Sequence, residues 1–156
     1  KTQDYEPLGK MAYESWHSAY DALLGADQVD YMLQKFQSAP AMRMQAEKQN
    51  YTYYLVMSGE KKIGYCALQE QGRDLFLSKV YLQEEERGKG LGQKILAFVL
   101  GEAKRRGARH VYLTVNKNNA RAIRAYEKFG FVREGEECTA IGGGYYMDDY
   151  IYAIRR

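Results

Sequence analysis

Arg87-Gly88-Lys89-Gly90-Leu91-Gly92 sits where a strand-like stretch, Leu75 to Leu82, gives way to a helical pattern from Leu91. The first turn of a helix has backbone N–H groups without internal partners and carries the positive end of the helix dipole, so this junction is an anion socket. Glycines let the backbone approach phosphate oxygens, and Arg87 or Lys89 can add charge-assisted hydrogen bonds, a combination that suits a pyrophosphate. A solvated glycine turn has the same composition, and glycine spacing alone does not separate the two. A P-loop is excluded because no serine or threonine follows Gly88-Lys89 to hold magnesium. A Rossmann fingerprint would need a glycine at 93 or 95, where Gln93 and Ile95 stand.

Other groups are weighed against plainer roles. Asp148 and Asp149 could take a proton from an amine through water or hold a cationic substrate, although acidic pairs as readily face solvent. Cys138 can be drawn as a nucleophile, but no histidine neighbours it in sequence and free cysteines commonly fill cores. His17 and His110 lack companion ligands at recognisable spacing, and no metal is expected. Glu84, Glu85 and Glu86 read as a solvated face beside the glycine run. Lys104, Arg105, Arg106 and Arg109 could meet nucleic acid, but one basic helix end more commonly satisfies terminal carbonyls, and no nucleic-acid partner is expected.

These residues need elements to position them. Leu8, Met11, Ala12, Trp16, Ala19, Tyr20 and Leu23 repeat at helical spacing up to Gly25. Val29, Met32, Leu33 and Phe36 form a second short amphipathic pattern, capped at Asp27 or beside it and punctuated by Pro40, so two helices are expected before the sheet. Tyr51 to Met57, Lys62 to Leu68 and Leu75 to Leu82 read as strands of an antiparallel meander. Leu91, Ile95, Phe98, Val99 and Ala103 predict one helix stripe, stopped at Gly107. His110 to Val115 reads as a strand, Ala120 to Phe129 as a helix closed by Gly130, Phe131 to Glu134 as a strand, and Tyr145 to Ile154 as a terminal strand after the Gly142 to Gly144 loop.

Composition bounds the answer. The chain has 156 residues, 46% hydrophobic and 28% charged, which fits one globular domain, 1-156, without linker or repeat. A net charge of +3 is too mild for a polyanion-coating protein. Two cysteines do not make a disulfide framework, and no apolar run reaches membrane-spanning length; a soluble, cytoplasmic protein with no membrane partner is expected. A start at Lys1 leaves room for native residues upstream, a first strand among them.

Arg87, Gly90 and Gly92 match the pyrophosphate motif [QR]-x-x-G-x-[GA] of the GNAT superfamily, the acetyl-CoA-dependent N-acetyltransferases. The segment Asn119 to Phe131, with Ala122, Tyr126 and Gly130, resembles the same family's N-x-x-A-x-x-x-Y-x-x-x-G-F block, in the right order along the chain. The resemblance implies an α/β fold: three layers, with a mixed, mostly antiparallel twisted sheet flanked by helices and two central strands splayed apart.

It further implies a set of roles. Acetyl-CoA would contact Val80, Tyr81, Leu82, Arg87, Gly88, Lys89, Gly90, Leu91, Gly92, Gln93, Asn119 and Lys128. Backbone groups of Val80 and Leu82 would meet the pantetheine, and an N–H near Val80 would polarise the thioester carbonyl. Tyr126 stands at the family's general-acid position, whereas packing against Ala122 and Phe129 is its plain role. Asn119 would cap its helix and orient the cofactor; Lys128 would meet a CoA phosphate or water. Leu75 to Gln83 holds no carboxylate, which leaves the base unassigned. Ile141 to Tyr150 resembles the bacterial spermidine/spermine acetyltransferases, which points to a small amine acceptor, a polyamine among them, near Tyr145, Asp148 and Asp149 or the early Asp27 and Asp30. A protein lysine or N-terminus is the alternative acceptor, and a non-catalytic CoA-binding module the alternative of another class. The aromatic terminal strand could help form a homodimer.

Overall fold

The computed structural model describes residues 1–155, without the side chains of Ser18, Ala19, Tyr20, Leu23 and Glu84. The inward positions expected for Ala19, Tyr20 and Leu23, and the solvated face expected at Glu84, therefore lie outside the described side chains. The chain forms two compact units, Lys1–Gln69 with Lys79–Gly88, and Glu70–Ser78 with Lys89–Arg156.

In the first unit, α1 (Glu6–Leu24) starts with a proline in its first turn and stops at Gly25, whose φ of 87° favours glycine. Leu8, Met11 and Ala12 are buried, as their spacing predicts. Gly25 also begins α2 (Ala26–Met32) with no side-chain cap, so Asp27 is not the cap; it stands in the first turn, where its charge complements the helix dipole. The helix then widens into a π-helical turn, Leu33–Gln37, that brings Gln37 into the core while Phe36 stays half-buried. A third helix, α3 (Ala39–Lys48), corrects the expectation of two before the sheet. Pro40 lies in its first turn rather than ending an element, and the Ser38 hydroxyl accepts from the Ala41 N–H at 3.2 Å.

The strands β1 (Tyr51–Ser58) and β2 (Lys61–Gln71) pair antiparallel from Tyr51↔Gln69 to Ser58↔Lys61, and β3 (Asp74–Leu82) follows. Gly64 of β2 lies so close to the Tyr81 carbonyl of β3 that a Cβ there would overlap the oxygen.

The second unit is built on α4 (Leu91–Arg105), β4 (His110–Asn116), α5 (Ala120–Phe129), β5 (Val132–Gly142) and β6 (Tyr145–Arg155). α4 buries Ile95, Leu96, Val99 and Ala103; Phe98, expected inward, is exposed because it falls on the flank of that stripe. Its end is a Schellman motif: the Ala108 N–H donates to Ala103 O and the Gly107 N–H to Lys104 O, with Gly107 at φ 73°.

The six strands run in the order β1-β2-β3-β4-β6-β5, a mixed and mostly antiparallel sheet. The parallel β3–β4 ladder holds three pairs, Asp74↔His110 to Phe76↔Tyr112, although both strands continue beyond it. β5 is far longer than the expected Phe131 to Glu134. Its Glu and Gly residues look like strand breakers, but it is an edge strand whose side chains mostly face solvent, with a register shift at Gly135. β6 pairs with β4 over Asp149–Arg155 and with β5 over Tyr145–Ala153.

Candidate active site

After β3 a short 3-10 turn, Glu84–Glu86, leads into the glycine run. The Arg87 Nε donates to the Leu82 carbonyl at 3.1 Å. Glu85 is exposed as expected, whereas Glu86 is partly buried and lies 3.9 Å from the Lys61 ammonium, so it is not a plain solvated charge.

Gly88 and Gly90 adopt φ of 80° and 78°, and Gly90 is the N-cap of α4 without any side-chain cap. The first helical bond is donated by the Lys94 N–H to Gly90 O, at 3.3 Å; the N–H groups of Leu91, Gly92 and Gln93 precede it. Among the described residues, and apart from the adjoining chain, nothing lies within 4 Å of where a Cβ would stand on Gly88, Gly90 or Gly92, and the first turn carries no acidic residue. This is open, unopposed positive backbone, the arrangement a diphosphate requires. In the first unit, the Gln83 Oε1 is buried without a hydrogen-bond partner among the described residues. Lys89 is exposed, and the Gln93 side chain reaches back to donate to Ala125 O of α5 at 3.0 Å.

Upstream on β3, Val80 is 37% exposed, and the Tyr81 ring packs 5.7 Å from that of Tyr65. Between the exposed Val80 and the core lies a residue the sequence reading passed over. The Lys79 ammonium is buried, donating to Tyr53 Oη at 2.6 Å, to Gln45 Oε1 at 2.7 Å and to the Phe36 carbonyl. That carbonyl lies in the π turn and also accepts from Gln45 Nε2 at 3.1 Å. Burial pulls the Lys79 ammonium down to about 7. The signal was present: Leu75, Leu77 and Lys79 share one strand parity, and the first two are buried core.

In the second unit, the Asn119 Oδ1 caps α5 by accepting from the Ala122 N–H at 3.2 Å. Tyr126 is half-buried, its ring edge-on to Phe131 at 5.9 Å. α5 is fixed on either side of it, by Gln93 on Ala125 O and by the Tyr152 hydroxyl donating to Glu127 Oε2 at 2.9 Å. Lys128 is exposed.

The three residues expected at the acceptor separate. Tyr145 is half-buried at the start of β6. Asp148 is held by the Lys117 ammonium at 3.0 Å, so its charge is already answered. Asp149 is 5% exposed, and burial first, then the Glu137 and Asp148 charges, push its carboxyl up to about 6 against the pull of Lys117. The early acids are otherwise occupied or exposed: Asp30 and Asp21 clamp His17 at 2.7 and 2.8 Å, and Asp27 is exposed. His110 lies between Asp74 and Glu134. Arg105 and Arg106 bind Glu102, and Arg106 also Glu70, which takes up half of the basic patch. Cys66 is buried, its thiol pushed up to about 12 by burial, and Cys138 is exposed. Among the described residues, no helix is long and apolar enough to cross a membrane.

The mixed sheet leads into a glycine-opened helix start, and the strand that follows that helix leads into α5, capped by Asn119. A profile of the acetyltransferase (GNAT) family matches residues 11–131, and the chain belongs to that family. It is 38% identical over 63 residues to the spermine/spermidine N(1)-acetyltransferase of Bacillus subtilis, covering 40% of this chain and 41% of that protein. It is 37% identical over 90 residues, 57% of each chain, to an uncharacterised N-acetyltransferase of Mycobacterium bovis. The chain thus matches between about two fifths and three fifths of the length of these relatives. The fold matches the PaiA N-acetyltransferase of Thermoplasma acidophilum, solved in complex with coenzyme A, with a TM-score of 0.82 at 20% identity over 99% of this chain and 94% of that one.

Proposed function

We propose that residues 1–156 act as one N-acetyltransferase domain that moves the acetyl group of acetyl-CoA onto the primary amine of a small cationic acceptor such as a polyamine, by direct attack in a ternary complex. The observation that carries this reading is the start of α4, with the N–H groups of Leu91, Gly92 and Gln93 unopposed and Gly88 and Gly90 clearing the approach. The likeness to the spermine/spermidine enzyme supports the acceptor class.

Acetyl-CoA supplies an activated thioester. The first turn of α4 would hold its pyrophosphate, with Arg87 and Lys89 adding charge, and the Val80 N–H would polarise the thioester carbonyl. The amine nitrogen, once neutral, attacks the carbonyl carbon; a C–N bond forms, the C–S bond breaks and the bonding pair leaves on sulfur. The nitrogen gives its proton to a carboxylate or water, and the Tyr126 hydroxyl donates to the departing sulfur. A tyrosine near 10 is a slightly weaker acid than a thiol near 8.5, so the hydrogen bond to the developing thiolate contributes at least as much as full proton transfer. Two unlinked cysteines fit a reducing, cytoplasmic setting.

Gly90→Asp should abolish CoA binding by calorimetry, since it places a carboxylate and a strained φ where the phosphate belongs; unchanged affinity would remove the socket. An acetyl-CoA consumption screen over polyamines, small amines, aminoglycosides and peptides then names the acceptor. Turnover with peptides alone would move the assignment to protein acetylation, and CoA binding without turnover would make this a binding module.

A further inference from the structure

Lys79 carries an amine into the core of the first unit without a counter-charge. It is 8% exposed, and among the described residues no carboxylate bonds to it. Its Nζ meets neutral oxygens from three elements: Tyr53 Oη of β1 at 2.6 Å, Gln45 Oε1 of α3 at 2.7 Å and the Phe36 carbonyl of the π turn. Tyr51 and Tyr53 of β1 present their ring centres 5.7 and 5.2 Å from Nζ, and Tyr5 and Tyr65 pack on the Tyr53 ring. Lys35 of the π turn is exposed over the Phe36 ring, and Arg43, Glu47 and Lys48 of α3 are exposed. Burial above all holds the Tyr53 and Tyr65 hydroxyls higher than their ordinary range, so both stay protonated while Lys79 titrates at about 7.

The hydrogen bonds fit two protonation states. With Lys79 charged, its three N–H groups donate to the three oxygens, and the Tyr53 hydroxyl donates onward to Gln45 Oε1 at 2.5 Å. With Lys79 neutral, the amine has two N–H groups and a lone pair. A turn of the Tyr53 hydroxyl then aims its hydrogen at Nζ, and the two N–H groups still reach Gln45 Oε1 and the Phe36 carbonyl. The neutral amine loses no partner, whereas the ammonium buries a charge that no anion offsets. The other groups are satisfied without Lys79 as well: Gln45 Oε1 keeps the Tyr53 donor, and the Phe36 carbonyl keeps Gln45 Nε2 at 3.1 Å.

We propose that Lys79, Tyr53, Gln45 and the π turn form a proton-coupled latch, closed over the neutral amine, and that any opening which brings Lys79 to water takes up one proton. An exposed lysine keeps its proton up to the ordinary 10.5 and the closed one only up to about 7. Opening therefore becomes about tenfold easier for each pH unit lost between those values, and no easier below them. β3 runs from Lys79 straight into the exposed Val80, so the latch governs the freedom of the strand end proposed to meet the thioester. The latch itself goes beyond the acetyltransferase reading and does not depend on it.

Amide hydrogen exchange on the full chain without CoA, from about pH 7.5 to about pH 8.5, tests the latch. Hydroxide-catalysed exchange accelerates about tenfold over that unit, while an opening that takes up a proton becomes about tenfold rarer. The amides of Leu33–Gln37 should thus exchange in the wild type at a level rate, within about threefold. In Lys79→Met, which leaves the remaining hydrogen bonds in place, the same amides should regain the rise of about tenfold. Far-UV circular dichroism checks folding, and Lys79→Gln stands in should Lys79→Met not fold. A full rise in the wild type overturns the proposal, and so does a level rate that persists in the variant. A chain that never binds CoA would remove the acetyltransferase reading without touching this result.

Discussion

At Asp149 the chain keeps a carboxylate where folding alone would favour an amide. Its folded value of about 6 exceeds the ordinary 3.8. Above pH 6 the folded protein bears the full cost of the buried charge; as pH falls from 6 towards 3.8 the folded state binds the proton first and the cost is relieved. Asp149→Asn should therefore raise stability at neutral pH, by at most about 3 kcal/mol, with the advantage shrinking below pH 6. Urea midpoints across that range measure it, and a loss of stability would reveal a donor to the carboxylate. Tyr126→Phe makes the complementary case: it should lower kcat at least about tenfold while leaving CoA affinity within about twofold, because the ring keeps its place against Phe131 and only the hydroxyl is lost. Equal losses in both would make Tyr126 a packing residue. Gly90 and Asn119 were legible in sequence as helix starts because backbone geometry and capping impose their type locally. Lys79 was not, since its burial depends on which strand position faces inward and what packs against it.

At the scale of elements, Gly64 governs how β2 carries β3. Gly64→Ala forces a methyl onto the Tyr81 carbonyl and should cost about 1–3 kcal/mol, read as a lower denaturant midpoint, and should weaken CoA through the displaced end of β3. An unchanged midpoint would mean that β3 yields freely. The helices α1 and α2 are tied by His17 between Asp21 and Asp30. Burial opposes its charge, but the two carboxylates outweigh this and hold the imidazole above its ordinary 6.5. Its contribution is complete below 6.5 and lost as pH rises through the higher folded value. His17→Gln should flatten the melting temperature against pH in that window, and an undiminished slope would place the dependence elsewhere. Element prediction from sequence failed in two instructive places. Ser38-Ala39-Pro40 is a helix start that resembles a break, and β5 hides its length because an edge strand has no apolar alternation to show.

For the molecule as a whole, the mixed α/β sheet and its family followed from two motifs separated by about one strand and one helix, whereas the division into two compact units did not, because its boundaries fall inside β2, inside β3 and within the glycine run rather than in a linker. CoA at about a hundred times its dissociation constant should stabilise the folded chain by about 2.7 kcal/mol, seen as a raised melting temperature, and Gly90→Asp should lose that rise. The outermost strand carries a last consequence. Arg133, Glu134 and Glu136 crowd charge of both signs along an open row of amides and carbonyls in β5. A stranger's strand trying to zip onto that row must bring matching charges at every step or shed water for nothing, so colloidal stability in concentrated solution is written into the outermost strand.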